Sequence, residues 1–246
     1  MTIQKPKEVQ LFVTCLVDNF YPDVGFAVVT VLEKLGLTVT FPEAQTCCGQ
    51  PAFNGGLWED ARAMARHTIN VLSENNAPIV VPSGSCGDMI IHHYANILSG
   101  DIMYAEKAKE VADRTYEFTQ FLVDVLDVSD VQATGTGCAT YHASCHGLRG
   151  LGIKSQPQQL LESIDGLETK PLEEAEACCG FGGLFAVKMA DVSGSILQRK
   201  LDCIEANEAD TLVGTDVSCL MHIAGGLRRR GSQVEVKHLA ELLASE

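Results

Sequence analysis

Eight of the ten cysteines in this 246-residue chain fall into two sets with one spacing. Cys15, Cys47-Cys48-Gly49 and Cys86 make the first set; Cys145, Cys178-Cys179-Gly180 and Cys219 make the second. Corresponding landmarks lie 130, 131 and 133 residues apart, which agrees within loop-length variation and marks an internal duplication. Four cysteines per copy equal the ligand count of a 4Fe–4S cluster. Zinc is disfavoured, because structural zinc sites favour C-x-x-C knuckles and the chain contains none. Adjacent side chains such as those of Cys47 and Cys48 also point apart, which suits the several irons of a cluster better than one tetrahedral ion. A lone cysteine is as readily a small core residue, but eight repeated in register read as metal ligands.

Landmarks more than thirty residues apart meet only if a fold gathers the loops that carry them. Runs 9–14, 38–41 and 78–82 are β-rich, and each precedes a turn and a longer helical pattern. The fold class is therefore α/β, in two pseudo-repeated halves, each a mostly parallel sheet with flanking helices. Helices are expected over 23–35, stopped by Gly36, and over 58–74, with Ala61, Ala65, Ile69 and Leu72 on one face. Residues 101–126 read as further helix, and a polar stretch over 129–137 puts the boundary near 130, giving domains 1–130 and 131–246. Parallel sheets present ligand sites at the carboxyl ends of their strands, and all three landmarks of each copy fall there. Gly49, Gly55 and Gly56 in one copy, and Gly180, Gly182 and Gly183 in the other, permit tight turns that aim backbone N–H groups at sulfur.

Composition removes other classes of function. Apolar residues at 46% and charged residues at 20% are ordinary soluble values, and the net charge of -14 repels nucleic acid and anionic membranes. No leader-like segment and no run of roughly 18 apolar residues occurs, so a cytoplasmic location without a transmembrane segment is expected. Reducing surroundings favour metal or thiol chemistry over a disulfide framework. There is no P-loop, no H-E-x-x-H and no dinucleotide-binding glycine fingerprint. A chain with clusters alone would relay electrons that another subunit delivers or removes.

The segments TCLVDNFYPDVG, TCCGQPAFNGG, VPSGSC, YHASCHGLRGLG, ACCGFGG and DVSCLMHI give the chain a resemblance to the cysteine-rich CCG domain family. That family includes the cysteine-rich component of heterodisulfide reductase and the glycolate oxidase iron–sulfur subunit. The similarity runs from about residue 9 to about 240 and is strongest to the iron–sulfur subunits of bacterial lactate-utilisation complexes. The resemblance implies an oxidoreductase component, inactive alone, that works with other subunits of the complex to oxidise L-lactate to pyruvate. It implies one or two iron–sulfur clusters on Cys15, Cys47, Cys48, Cys86, Cys145, Cys178, Cys179 and Cys219. The wider family closes each copy with C-x-x-C, whereas this chain has Met89 and His222 there. Four-cysteine ligation is expected in consequence, with His222 a possible substitute ligand. Alternative readings are a thiol-disulfide enzyme using Cys47-Cys48 or Cys178-Cys179, a metal-stabilised assembly protein, and a subunit of another hydroxy-acid or heterodisulfide oxidoreductase.

Several residues fall outside this scheme. His142 and His146 bracket Cys145 and are expected to tune a cluster through hydrogen bonds rather than to act as acid or base. Arg149 has the fork geometry for a carboxylate such as lactate but reads as a surface residue. His92-His93 reads as part of a helix, Cys138 as a strand residue, Cys203 as a small buried helix residue, and Arg228 to Arg230 as a solvated helix end.

Overall fold

Short runs of β-branched and apolar residues form the strands in a computed structural model that describes residues 5–245. In the first unit, which runs to Val128, the elements are β1 (Glu8–Leu11), α1 (Cys15–Phe20), α2 (Pro22–Lys34), β2 (Thr38–Thr40), α3 (Gln50–Asn54), α4 (Trp58–Leu72), β3 (Ile79–Val81), α5 (Gly84–Asp88), α6 (Tyr94–Ile97), α7 (Ile102–Ala112), β4 (Thr115–Glu117) and α8 (Phe118–Gln120). A π-helical turn, Met89–His93, joins α5 to α6. The second unit begins at Ser129 and contains β5 (Cys138–Tyr141), α9 (Gln156–Glu162), β6 (Glu168–Lys170), α10 (Leu184–Lys188), α11 (Ala190–Asn207), β7 (Thr211–Gly214), α12 (Val217–Arg230), β8 (Glu235–His238) and α13 (Leu239–Leu243).

Each unit is an α/β layer structure around a four-stranded, all-parallel sheet. The strand orders are β2-β1-β3-β4 and β6-β5-β7-β8, the same topology twice. The register places Val9 opposite Val39 and Leu11 opposite Val80 in the first unit, and Thr140 opposite Lys170 and Leu212 in the second. Central strands are buried on both faces: Ile79, Val80 and Val81 are wholly inaccessible, as are Leu212 and Val213. The edge strands β2 and β6 are short, β6 exposed throughout and β2 exposed at Thr38 and half-buried beyond it. In both sheets the strand order reverses direction at the first strand, so the loops after β1, β2 and β3, and after β5, β6 and β7, surround one switch point.

Helix α4 forms as the apolar spacing requires, burying Ala61, Ala65, Ile69 and Leu72 against the sheet. Gly36 follows α2 at φ 83°, the left-handed conformation that ends a helix. The expectation of continuous helix over 101–126 is corrected. Helix α7 stops at Ala112, and Thr115–Glu117 pairs with β3 as β4 before helix resumes at Phe118. The cause is tertiary: the Arg114 guanidinium donates to the carbonyls of Leu72 and Ala77, fixing the chain at the sheet edge. The Glu117 carboxylate then accepts from Thr119 N–H at 2.8 Å, capping the next helix. A three-residue strand between two helical patterns leaves almost no periodic trace.

Candidate metal centre

In the first unit Cys15 opens α1 after β1, Cys47-Cys48 lies in the loop after β2, and Cys86 sits in α5 after β3. Polar ties knit these three loops together. Gln45 accepts from Val13 N–H at 2.8 Å and donates to the Leu11 carbonyl at 3.1 Å, holding the first loop to the second. Gln50 donates to the Ser85 carbonyl at 3.1 Å, and Tyr94 Oη, wholly buried, donates to the Cys48 carbonyl at 2.8 Å, holding the second to the third. Ser83 caps α5 by accepting from Cys86 N–H. The result brings Cys48 Sγ to 3.3 Å from Cys86 Sγ.

The second unit repeats the plan with different fasteners. Cys145 follows β5, Cys178-Cys179 follows β6, and Cys219 lies in the first turn of α12 after β7. Ala143 N–H donates to the Ala175 carbonyl at 3.2 Å, and the buried Lys200 ammonium donates to the carbonyls of Glu174 and Ala175. Ser193 Oγ donates to the Gly180 carbonyl at 2.8 Å, and Asp216 caps α12 by accepting from Ser218 N–H at 3.1 Å. Cys179 Sγ lies 3.1 Å from Cys219 Sγ. Gly49 and Gly180 both adopt positive φ, 86° and 89°, so the paired cysteines can turn beneath the following helix. A Cβ on Gly180 would come within 2.7 Å of the Ser193 carbonyl oxygen, so close approach as well as φ excludes a side chain there.

The thiols couple in the same sequence in both units. Hydrogen bonds from Cys15 and Cys48 hold the Cys47 thiol down, to about 3, with burial opposing and Gly49 N–H assisting. Hydrogen bonds from Cys145 and Cys179 hold Cys178 down, to about 2, again against burial and with help from Gly180 N–H, 3.3 Å from its sulfur. Cys15 and Cys145 are pushed up because each donates to the anion beside it and is partly buried. Cys48 and Cys179 are pushed up by the same donation, by their contacts with Cys86 and Cys219, and by burial. Each unit thus holds a thiolate at the first cysteine of its pair with protonated neighbours around it. Loading a metal displaces those protons.

This donor set fits an iron–sulfur cluster. Soft sulfur ligands converge from three loops, backbone N–H groups point at them, and the surroundings are apolar: Cys48 and Cys86 belong to a core with Phe12, Ile69 and Met89, and Cys179 and Cys219 to one with Leu197, Leu212 and Ile223. The eight cysteines of the repeat sort into these two groups of four. Cys138 lies in β5, buried, and Cys203 is half-buried in α11 with its sulfur 4.0 Å from Glu174 Oε2. His222 is half-buried on α12, its ring against Phe181 and its Nε2 3.4 Å from Ser193 Oγ. Among the described residues His222 belongs to no group of three close metal-ligating atoms.

One such group does exist among them. The donor atoms of His142, Cys179 and Cys219 all lie within 4.8 Å of one another. Burial, with Lys200 adding to it, lowers the His142 pKa to about 4, so its ring is neutral near pH 7. The nearby Ala175 carbonyl opposes the shift but already accepts from Ala143 and Lys200, and neither ring nitrogen has a hydrogen-bond partner. The sequence reading of His142 as a neighbour of Cys145 that tunes a cluster through hydrogen bonds is not what the geometry shows, since neither ring nitrogen reaches a thiol by one. Lys200 is a functional residue outside the repeat spacing, and a lysine among Leu197, Leu201 and Ile204 on the apolar face of α11 is its readable signal.

The geometry accords with the comparisons. A family model described as a cysteine-rich domain, CCG, matches residues 9–91 and again 139–224. The chain belongs to the cysteine-rich CCG domain family. Within it, the chain is 52% identical over 235 residues to lactate utilization protein A of Anoxybacillus flavithermus, covering 96% of this chain and 98% of that one. It is 49% identical to the Geobacillus sp. lactate utilization protein A, over 97% and 99% of the two chains, and 48% identical to lactate utilization protein A 2 of Bacillus cereus, over 96% and 98%. Among solved structures, a hypothetical protein from Helicobacter pylori superposes with a TM-score of 0.64 at 11% identity, over 98% of this chain and 49% of that one, which is a likeness of fold. No helix among the described residues is long and apolar enough to cross a membrane.

Proposed function

We propose that this CCG-family chain is the iron–sulfur electron-transfer subunit of a cytosolic complex that oxidises L-lactate to pyruvate. The observation that carries the reading is the gathering of four repeated cysteines at the sheet switch point in both units, with Cys48 and Cys86 at 3.3 Å and Cys179 and Cys219 at 3.1 Å. Cys15, Cys47, Cys48 and Cys86 would hold one cluster, and Cys145, Cys178, Cys179 and Cys219 a second, each of the 4Fe–4S type. The names of the relatives, lactate utilization protein A, support the lactate assignment and imply a multi-protein system.

A bound cluster supplies one-electron transfer. The chain's own work is to present thiolates, starting from Cys47 and Cys178, to pack Cys48, Cys86, Cys179 and Cys219 in apolar core, and to hold three loops rigid through the Gln45, Gln50, Tyr94 and Lys200 contacts. Rigidity matters because a site that shifts little between oxidation states exchanges electrons with little reorganisation.

Anaerobic purification followed by visible absorption, EPR and iron and sulfide analysis tests the reading. Brown protein containing iron and acid-labile sulfide is expected, with Cys47→Ser losing part of the absorption and Cys203→Ser losing none. A colourless chain with stoichiometric zinc, or bleaching by Cys203→Ser and not by Cys47→Ser, would overturn it.

A further inference from the structure

One of the positions at which the duplicated units differ packs against the cysteines. Three residues before the first cysteine of each set stands Phe12 in the first unit and His142 in the second. Phe12 is wholly buried and packs in the same core cluster as Cys48 and Cys86, as a purely apolar neighbour. His142 is equally enclosed, 1% exposed, yet carries two polar ring atoms that meet no hydrogen-bond partner. Burying an imidazole whose nitrogens make no well-formed hydrogen bond, with only the Ala175 carbonyl near, is costly where a phenyl ring serves in the sister unit. The ring lies beside Cys179 and Cys219, with all three donor atoms within 4.8 Å of one another, close enough to serve one metal centre.

We propose that His142 is a nitrogen ligand to the metal centre of the second unit, acting with Cys179 and Cys219 and replacing the thiolate of Cys145 or Cys178 in the four-ligand set, whereas the first unit's centre is held by sulfur alone. This rests on the iron–sulfur reading above. Imidazole in place of thiolate leaves less negative charge on the iron, and histidine-ligated iron–sulfur centres accordingly take up electrons at higher potential. The chain then carries two unlike centres, the second the more readily reduced. His222, the histidine in the register position of Met89, is no part of the site: its Nε2 lies by Ser193 Oγ and it joins no close donor group among the described residues.

The test is pulsed EPR on the full chain, reconstituted anaerobically with iron and sulfide, made with ordinary or nitrogen-15 histidine, and poised by redox titration. Hyperfine coupling from a directly bound nitrogen is expected, changing with the isotope. It should be lost in His142→Phe, which copies the first unit, and kept in His222→Gln, and His142→Phe should lower the higher of two midpoint potentials toward the other. Iron-loaded wild type without nitrogen coupling overturns the inference even if His142→Phe does not fold, as does coupling that survives His142→Phe or vanishes in His222→Gln. Those results leave the iron–sulfur reading standing. A wild-type chain that takes up neither iron nor sulfide overturns both.

Discussion

At the scale of single residues, the metal-free chain has a defined protonation pattern, and its sign can be worked out. The Cys178 thiol is exposed and its pKa is lowered to about 2. It therefore stays ionised well below the pH at which a free thiol, with a pKa near 8.5, takes up its proton. Alkylation by iodoacetamide, followed by peptide mass mapping, should label Cys178 at a rate nearly constant from about pH 8 to pH 6, where an ordinary thiol slows roughly tenfold per unit. His142 works in the opposite sense. Its folded pKa lies near 4 against 6.5 in the unfolded chain, so below pH 6.5 the unfolded state binds the extra proton. Stability is fully present above pH 6.5 and falls as pH drops toward 4, by roughly 3 kcal/mol at about 1.4 kcal/mol per unit. Urea unfolding of the metal-free protein should show that loss, and His142→Phe should remove this share of it.

The elements that position these residues were legible to different degrees. Central strands and α4 could be read because burial stamps a clear pattern on them: Ile79 to Val81 on two faces, Ala61 to Leu72 on one. Strand β4 could not, since Thr115 to Glu117 is held by a sheet edge and by the Arg114 contacts, neither of which is local in sequence. The repeat spacing identified the eight cysteines, but the fasteners Gln45, Gln50, Tyr94 and Lys200 are single residues without a period. The glycine after the second cysteine pair is a sharper case, seen against the helix-ending Gly36. Gly36 and Gly180 share a positive φ, but a Cβ on Gly36 would meet open space while one on Gly180 would meet the Ser193 carbonyl at 2.7 Å. Gly36→Ala should cost about 1 kcal/mol in urea unfolding, the conformational share alone. Gly180→Ala should cost at least about twice that and also reduce the iron retained per chain.

At the scale of the whole molecule, duplication has kept the scaffold and altered what lies beneath it. Strand order, cysteine order and the anionic first cysteine of each pair recur in both units, while Phe12 and Tyr94 in one interior contrast with His142 and Lys200 in the other. The close approach of Cys48 to Cys86 and of Cys179 to Cys219 has a consequence for handling. Should dissolved oxygen oxidise the metal-free chain, each pair would lose two protons and two electrons and form a covalent staple across 38 or 40 residues. Loops of that length confer about 4 kcal/mol each by restricting the unfolded chain. Calorimetry with non-reducing peptide mapping should then find the stapled product melting at higher temperature than the freshly reduced chain, while refusing iron until dithiothreitol is added. Thermal toughness in a preparation of this protein would accordingly signal damage, and thermal fragility readiness for assembly.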